Sequence, residues 1–163
     1  MTQQRKPLTL AGFRVLSKEH EQLSRVERPR VVVGVTNAAA EGDRSENAEY
    51  IYGKKRLREI DKRLQYLGNL LGDVEIVDPV SLSGTKVCFG ATVVFEDDAG
   101  AKKKWQIVGE GESDTAQGTI SWKSPMARAL LGKQVGDVVT VERPAGEIQI
   151  EVLELWFAER RIA

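Results

Sequence analysis

The sequence predicts an α+β protein in two parts: an N-terminal antiparallel α-helical hairpin of the coiled-coil kind, then a small antiparallel sheet domain with one helix. Three observations predict it. Leu57, Ile60, Leu64, Leu67 and Leu71 are spaced three, four, three and four, the seam of a coiled coil. A second helical stretch of matching length precedes them, separated by a loop containing Gly42, and short loops join antiparallel helices. Beyond Gly72-Asp73 helical spacing gives way to short runs rich in β-branched and aromatic residues.

The 163 residues suit one domain or two small ones. Hydrophobic content of 41% and charged content of 29% fit a soluble globular chain. With 24 basic and 24 acidic residues, bulk charge points to neither a nucleic-acid binder nor an acidic tail, and only local clustering is informative. The single cysteine, Cys88, excludes an internal disulfide and sits in the apolar run Val87-Cys88-Phe89 as a small hydrophobe. The single histidine, His20, lies in a charged helical stretch and has no second residue with which to build a nucleophilic site. No run has signal-peptide or membrane-span character, so a cytoplasmic protein with no membrane partner is expected.

Residues 1 to 9 read as a loose lead-in. From Leu10, the apolar positions Phe13, Leu16, Leu23 and Val26 with charges between predict an amphipathic helix, and Pro29 marks a kink or a fresh start. The run from Arg30 to Thr36 favours a strand by propensity. It is nevertheless assigned to helix, because an isolated strand here would lack sheet partners and Ala38-Ala39-Ala40 follows without a turn signal. The second helix is expected from Ser45 to Leu71, its seam extending back through Gly53, Tyr50 and Glu46. The hairpin is thus placed at residues 1–78, a linker at 79–84 and the sheet domain at 85–163; the whole stretch from Val74 to Gly84 reads as connector.

In the sheet domain the expected strands are Val87–Phe89, Ala91–Phe95, Lys104–Val108, Thr119–Trp122, Val138–Val141 and Ile148–Phe157. Trp105, Trp122, Trp156 and Phe157 fall on these runs as core. Ser124 to Gly132 is a short helix with Ser at the N-cap, Pro at the first position and Gly past the end. Glu96-Asp97-Asp98-Ala99-Gly100 before Lys102-Lys103-Lys104 reads as a charged hairpin without chemistry.

The chemistry is expected at the turn between the two long helices, where Glu41, Asp43, Glu46 and Glu49 put four carboxylates within nine residues. Asp43 with Glu46 three residues later is a variant of the capping box, and acids are favoured in a first helical turn. The alternative is metal binding. Mg²⁺ is typically held by one or two carboxylates with waters and a substrate group. Asp43 and Glu46 would then be half of a site, completed by a second macromolecule bringing its own acids and a phosphate. A basic cluster follows on the descending helix: Lys54, Lys55, Arg56, Arg58, Lys62 and Arg63, opposed only by Glu59 and Asp61. It reads either as a solvated face with pairs such as Glu59 and Arg63, or as a guide for a single-stranded RNA backbone toward the acids. Tyr50 and Tyr52 offer rings for base stacking, with packing on the seam the alternative for Tyr50.

Gly42-Asp43-Arg44-Ser45-Glu46-Asn47-Ala48-Glu49-Tyr50 closely resembles the tip motif of the bacterial GreA/GreB transcript cleavage factors. Lys54-Lys55-Arg56-Leu57-Arg58-Glu59-Ile60-Asp61 is similar to the GreB branch in particular. In the second half Phe89-Gly90-Ala91, Ile107-Val108-Gly109, Ser124-Pro125-Met126-Ala127-Arg128-Ala129-Leu130-Leu131, Val135-Gly136-Asp137 and Pro144-Ala145-Gly146-Glu147 resemble the family too. The resemblance implies an FKBP-like fold for the sheet domain, which docks on RNA polymerase while the coiled coil enters its secondary channel. It implies that Asp43 and Glu46 are the catalytic pair, sharing the second Mg²⁺ of the polymerase active site, which alone they do not bind tightly. The polymerase then cleaves the nascent RNA 3′ end of a backtracked complex; the factor itself is not a nuclease and is a monomer when free. Ser45, Asn47 and Tyr50 match positions supporting the tip. Arg44, Lys54, Lys55, Arg58 and Lys62 match the patch that approaches RNA. Lys123, Ser124, Pro125 and Met126 match the polymerase-docking loop, where Lys123 departs from the Asp that GreB sequences can carry. Two other classes compete: a channel binder that inhibits, which would have an altered tip, and a peptide-binding or prolyl-isomerase-like module, suggested by fold alone.

Overall fold

The computed structural model describes residues 5–42 and 47–163. The chain forms two compact units, residues 14–72 and residues 1–13 together with 73–163. These bounds differ from the expected division at 78, because both ends of the supposed connector belong to the sheet unit.

The helix that begins as α1 (Leu10–Gln22), in the first unit from residue 14 on, passes through a π-helical turn (Leu23–Glu27) into α2 (Arg28–Ala40), and α3 (Ala48–Leu71) follows the loop. The valine run is helical, because Val31, Val35 and Ala38 turn toward α3 and tertiary packing outweighs β propensity. Pro29 neither breaks nor restarts the helix. A proline ring collides with the carbonyl four residues back and donates no hydrogen bond, and the π turn just before it, closed by Arg28 N–H to the Leu23 carbonyl, takes up that misfit. The wider turn also moves the seam by one residue. Val26, expected on the apolar face, is 49% exposed, and Glu27 takes the half-buried position instead.

On α3, Gly53, Ile60, Leu67 and Leu70 are buried, with Leu57, Leu64 and Leu71 half-buried beside them. The heptad Gly53, Ile60, Leu67 is the centre of the predicted seam. The helix starts at Ala48, later than the expected Ser45, and Asn47 is its N-cap. Gly72 ends it, its N–H reaching the Gly68 carbonyl at 2.9 Å, and Asp73 follows at φ 55°.

The sheet unit contains two elements that periodicity did not announce. Strand β1 (Lys6–Thr9) pairs in parallel with β2 (Val74–Val77), where a loose lead-in and a connector were expected. Four-residue strands so distant in sequence leave almost no local pattern; burial of Leu8 and Thr9 reveals them. Thr9 also caps α1: its Oγ1 accepts the Gly12 N–H at 3.1 Å and donates to Glu112 Oε1, while Glu112 Oε2 accepts the Thr9 N–H at 2.9 Å. Burial pushes the Glu112 carboxyl up, opposed by these hydrogen bonds. The rest of the connector is held as well, since Arg160 donates to the carbonyls of Val80 and Leu82 at 2.9 and 3.1 Å.

The main sheet comprises β3 (Thr92–Asp97), β4 (Lys102–Val108), β5 (Thr119–Ser121), β6 (Val138–Val141), β7 (Ile148–Phe157) and β8 (Arg160–Arg161). Its order is β5-β4-β3-β7-β6, with β8 on β7. The pairings are antiparallel except β4 with β5, which are parallel, a correction to the purely antiparallel expectation. Val87–Phe89 is not a strand: Val87 instead exchanges backbone bonds with Lys133 and Gly132 at 2.8 Å each. One face of the sheet carries Val93, Phe95, Ile107, Ile150, Val152, Leu155 and Phe157, packed with α4 (Pro125–Leu130) through Ala127 and Leu130. Trp105 and Trp122 pack against this core only partly buried. Trp156 faces the other way, with the Lys104 ammonium 4.4 Å from its ring centre. The charged β3–β4 turn is fixed by Asp97 Oδ1, which accepts from Ala99 and Ala101 N–H at 3.0 and 2.9 Å.

Candidate functional site

At the turn of the hairpin, helix α2 ends and α3 begins, and each end leaves orphan backbone groups. One side chain serves both. Asn47 Nδ2 donates to the Ala38 carbonyl at 2.7 Å, and Asn47 Oδ1 accepts the Tyr50 N–H at 3.1 Å. The Ala38 carbonyl also accepts the Glu41 N–H at 3.2 Å, closing the last turn of α2. The capping role that spacing assigned to Asp43 is therefore filled by Asn47. Asp43, Arg44, Ser45 and Glu46 themselves lie outside the described residues. Sequence reasoning passed over Asn47 as a cap because the residue three positions on is Tyr50 and not the Glu or Gln of a capping box.

Tyr50 is half-buried, with the Lys54 ammonium 6.0 Å from its ring centre, whereas Tyr52 is 71% exposed. A stacking platform near the tip is thus better supplied by Tyr52 than by Tyr50.

The basic cluster divides in two. Arg56 points across the hairpin, its Nε donating to Glu27 Oε1 at 2.9 Å, with Glu59 3.4 Å from its Nη1. Arg63 forks onto Glu19 at 3.0 Å through both Nε and Nη2, rather than pairing with Glu59 as four-residue spacing suggested. Arg28 likewise holds Asp61 at 2.7 Å and keeps that carboxyl below its usual range. These pairs are consumed in joining the helices. Lys55, Arg58 and Lys62, at positions i, i+3 and i+7, share the exposed face and form no ion pair among the described residues. They line a shallow groove of about 680 Å³ with Glu59, Asp61 and Gln65. Lys55 and Lys62 are 8 and 15 residues beyond Asn47, which at about 1.5 Å per residue places them roughly 12 and 22 Å along the helix.

In the sheet unit, Ser124 caps α4, accepting the Ala127 N–H at 3.2 Å, with Pro125 in the first turn and Met126 packed against the core. Lys123 is exposed, pairs with Glu110 at 3.1 Å and lies 5.6 Å from the Trp122 ring centre. Together with Trp122, Arg128 and Leu131 it lines a groove of about 630 Å³. Among the described residues no helix is long and apolar enough to cross a membrane.

A family model described as transcription elongation factor, GreA/GreB, C-term matches residues 82–157, and one described as transcription elongation factor, N-terminal matches residues 6–76. The chain is 47% identical over 150 residues to the transcription elongation factor GreB of Pasteurella multocida, covering 92% of this chain and 95% of that one. It belongs to the GreA/GreB family of transcription elongation factors. The GreB of Yersinia pestis is 50% identical over 91% of this chain and 86% of its own length; the GreA of Alkalilimnicola ehrlichii is 40% identical over 93% and 98%. This GreA/GreB factor therefore resembles those GreB relatives more than that GreA. Among solved structures, the Gfh1 protein of Thermus thermophilus overlays with a TM-score of 0.44 at 26% identity, covering 94% of this chain and 99% of that one.

The donor chemistry of the GreA/GreB tip suits Mg²⁺ in kind, since Asp43 and Glu46 offer hard carboxylate oxygens, but two are too few for an all-protein cage. Among the described residues no group of three or more His, Cys, Asp or Glu is placed to hold a metal ion.

Proposed function

We propose that this elongation factor stimulates cleavage of backtracked RNA by RNA polymerase. The hairpin enters the secondary channel, and Asp43 and Glu46 share a Mg²⁺ with the polymerase active site. The observation that carries this reading is the cap at Asn47: α3 is already capped without Asp43, so the capping explanation for that acid loses its ground. When bound, the ion would orient and activate the attacking water. The chain's own residues do the rest: Lys55, Arg58 and Lys62, with Lys54 and Arg44, hold the nascent RNA 3′ end by its phosphates, and the helices carry the acids to it. The loop Lys123-Ser124-Pro125-Met126 and its groove serve as the docking surface. The sheet domain is taken as FKBP-like by resemblance, used for docking rather than for isomerisation. The factor acts as a cytoplasmic monomer and accessory to the polymerase, not as a nuclease in its own right.

The test is a stalled, backtracked elongation complex carrying labelled RNA. Adding the protein releases short 3′ fragments, and Asp43→Ala or Glu46→Ala abolishes the release while still competing with the unaltered protein for polymerase. Normal cleavage by Asp43→Ala would sink the mechanism.

A further inference from the structure

We infer that Asn47 is a positioning residue of the tip, a clamp that sets the separation of the two helix ends between which the loop is strung. The inference rests on the cleavage reading above and deepens it.

One side chain meets a backbone group on each of the two helix ends. The Ala38 carbonyl belongs to the last turn of α2, where the Glu41 N–H at 3.2 Å uses one of its two lone pairs; the Tyr50 N–H belongs to the first turn of α3 and would lack a helical partner. The Asn47 amide meets one with its nitrogen at 2.7 Å and the other with its oxygen at 3.1 Å. Its backbone carbonyl meanwhile accepts the Ile51 N–H at 3.0 Å, so its own main chain is already tied to α3. Residues 38 and 47 are thus joined by one short bond that closes a nine-residue separation.

The residue type follows from this double task. As a plain N-cap, Asp and Ser are about as good as Asn. Asp has no donor for the Ala38 carbonyl, and the Ser hydroxyl carries donor and acceptor on one atom, on a shorter side chain. Neither can span the two helix ends. A cap needs only the acceptor; the choice of an amide is explained by the second bond.

Fixing both ends of a loop removes conformations that would carry its side chains away from a productive geometry, and small misplacements are expensive in catalysis. Asn47 thereby acts on the turnover step and not on docking.

The test uses the full-length protein on the backtracked complex, with Asn47→Ser, which keeps the cap and loses the bridge, and Asn47→Ala, which loses both. At saturating factor Asn47→Ser lowers the cleavage rate roughly ten- to hundred-fold. The half-saturating concentration is unchanged, and raising Mg²⁺ restores part of the rate. Helical circular dichroism of Asn47→Ser stays that of the unaltered protein, so a folding defect is separated from a positioning one. A wild-type rate for Asn47→Ser at limiting Mg²⁺ overturns the clamp, as does a loss that appears only in half-saturation. If the unaltered protein itself released no fragments, the cleavage reading would fall first, and that outcome is distinguishable from the other two.

Discussion

Gly53 of α3 and Val35 of α2 meet so closely that a Cβ built on the glycine would lie 2.5 Å from Val35 Cγ2. The seam therefore uses a missing side chain near the tip, where the helices approach, and leucine and isoleucine lower down. Val35 is stiff at χ1 in a helix and cannot easily turn its methyl away.

The same substitution should have opposite signs at two glycines. Gly53→Ala gains up to about 1 kcal/mol of helix propensity but forces an overlap that typically costs 1–3 kcal/mol, leaving a net loss of about 1 kcal/mol. Gly34→Ala meets nothing within 4 Å, so the propensity gain of about 0.5–1 kcal/mol stands alone. Thermal unfolding should show Gly53→Ala melting lower and Gly34→Ala higher than the parent. Adding Val35→Ala to Gly53→Ala should recover most of the overlap penalty. Two shifts of the same sign would remove the seam argument.

The split of the basic cluster predicts two kinds of variant. Arg56→Ala removes the partner of half-buried Glu27 and should lower the melting temperature while leaving salt dependence of RNA contact nearly alone. Lys55→Ala, Arg58→Ala and Lys62→Ala together should leave melting nearly unchanged. On single-stranded RNA each phosphate contact contributes about 0.7 to the slope of log affinity against log salt, so the triple variant should flatten it by about 2. The measurement is binding of RNA in the backtracked complex across a salt series. An unchanged slope would return these three side chains to the role of a solvated face.

Much of this was written in the sequence in periods, and what was not was written in single contacts. The seam through Ile60 and Leu67, the short helix after Ser124 and the longer strands follow from repeating patterns that several residues vote for. The π turn before Pro29 shifts the register by one residue, which no fixed period anticipates, and so Val26 and Glu27 exchanged places. β1 and β2 are too short for a period and pair across the whole hairpin. At the site, the basic residues and the motif were legible, but the sorting of Arg56 and Arg63 from Lys55, Arg58 and Lys62 needed the acids on the facing helix. Asn47 was legible as part of the motif and not as a clamp, since its second partner, Ala38, is a backbone carbonyl that any residue would provide.

Glu112 predicts a pH dependence whose sign can be fixed. Burial raises its carboxyl pKa in the folded protein, so the folded state binds the proton more tightly than the unfolded chain does. Stability from this group is therefore fully present below the ordinary glutamate range and declines as pH rises through the raised folded value. Relative to Glu112→Gln, the parent should lose stability as pH is raised above the ordinary glutamate range, and the difference should level off once pH has passed the raised folded value. Urea unfolding of both proteins across that range checks it; a parent that gains stability over the same rise would mean that the Thr9 hydrogen bonds outweigh burial.

Lys123 separates docking from turnover. Its ammonium is held beside Glu110 at 3.1 Å and over Trp122 at the rim of a groove that also presents Arg128. Lys123→Glu would set two carboxylates against each other there and reverse the rim's charge, while α4 keeps its Ser124 cap and buried Ala127 and Leu130. A partner matched to a basic rim then meets a like charge, which weakens encounter and is relieved by salt. The expected result is a several-fold higher concentration of factor for half-maximal cleavage, an unchanged rate at saturation, and a gap between variant and parent that narrows as salt is raised. Tm should fall by little, since the exposed pair contributes at most about 1 kcal/mol. A variant that loses rate at saturation instead would place Lys123 in the chemistry, and one indistinguishable from the parent at every concentration would remove this loop from the docking surface.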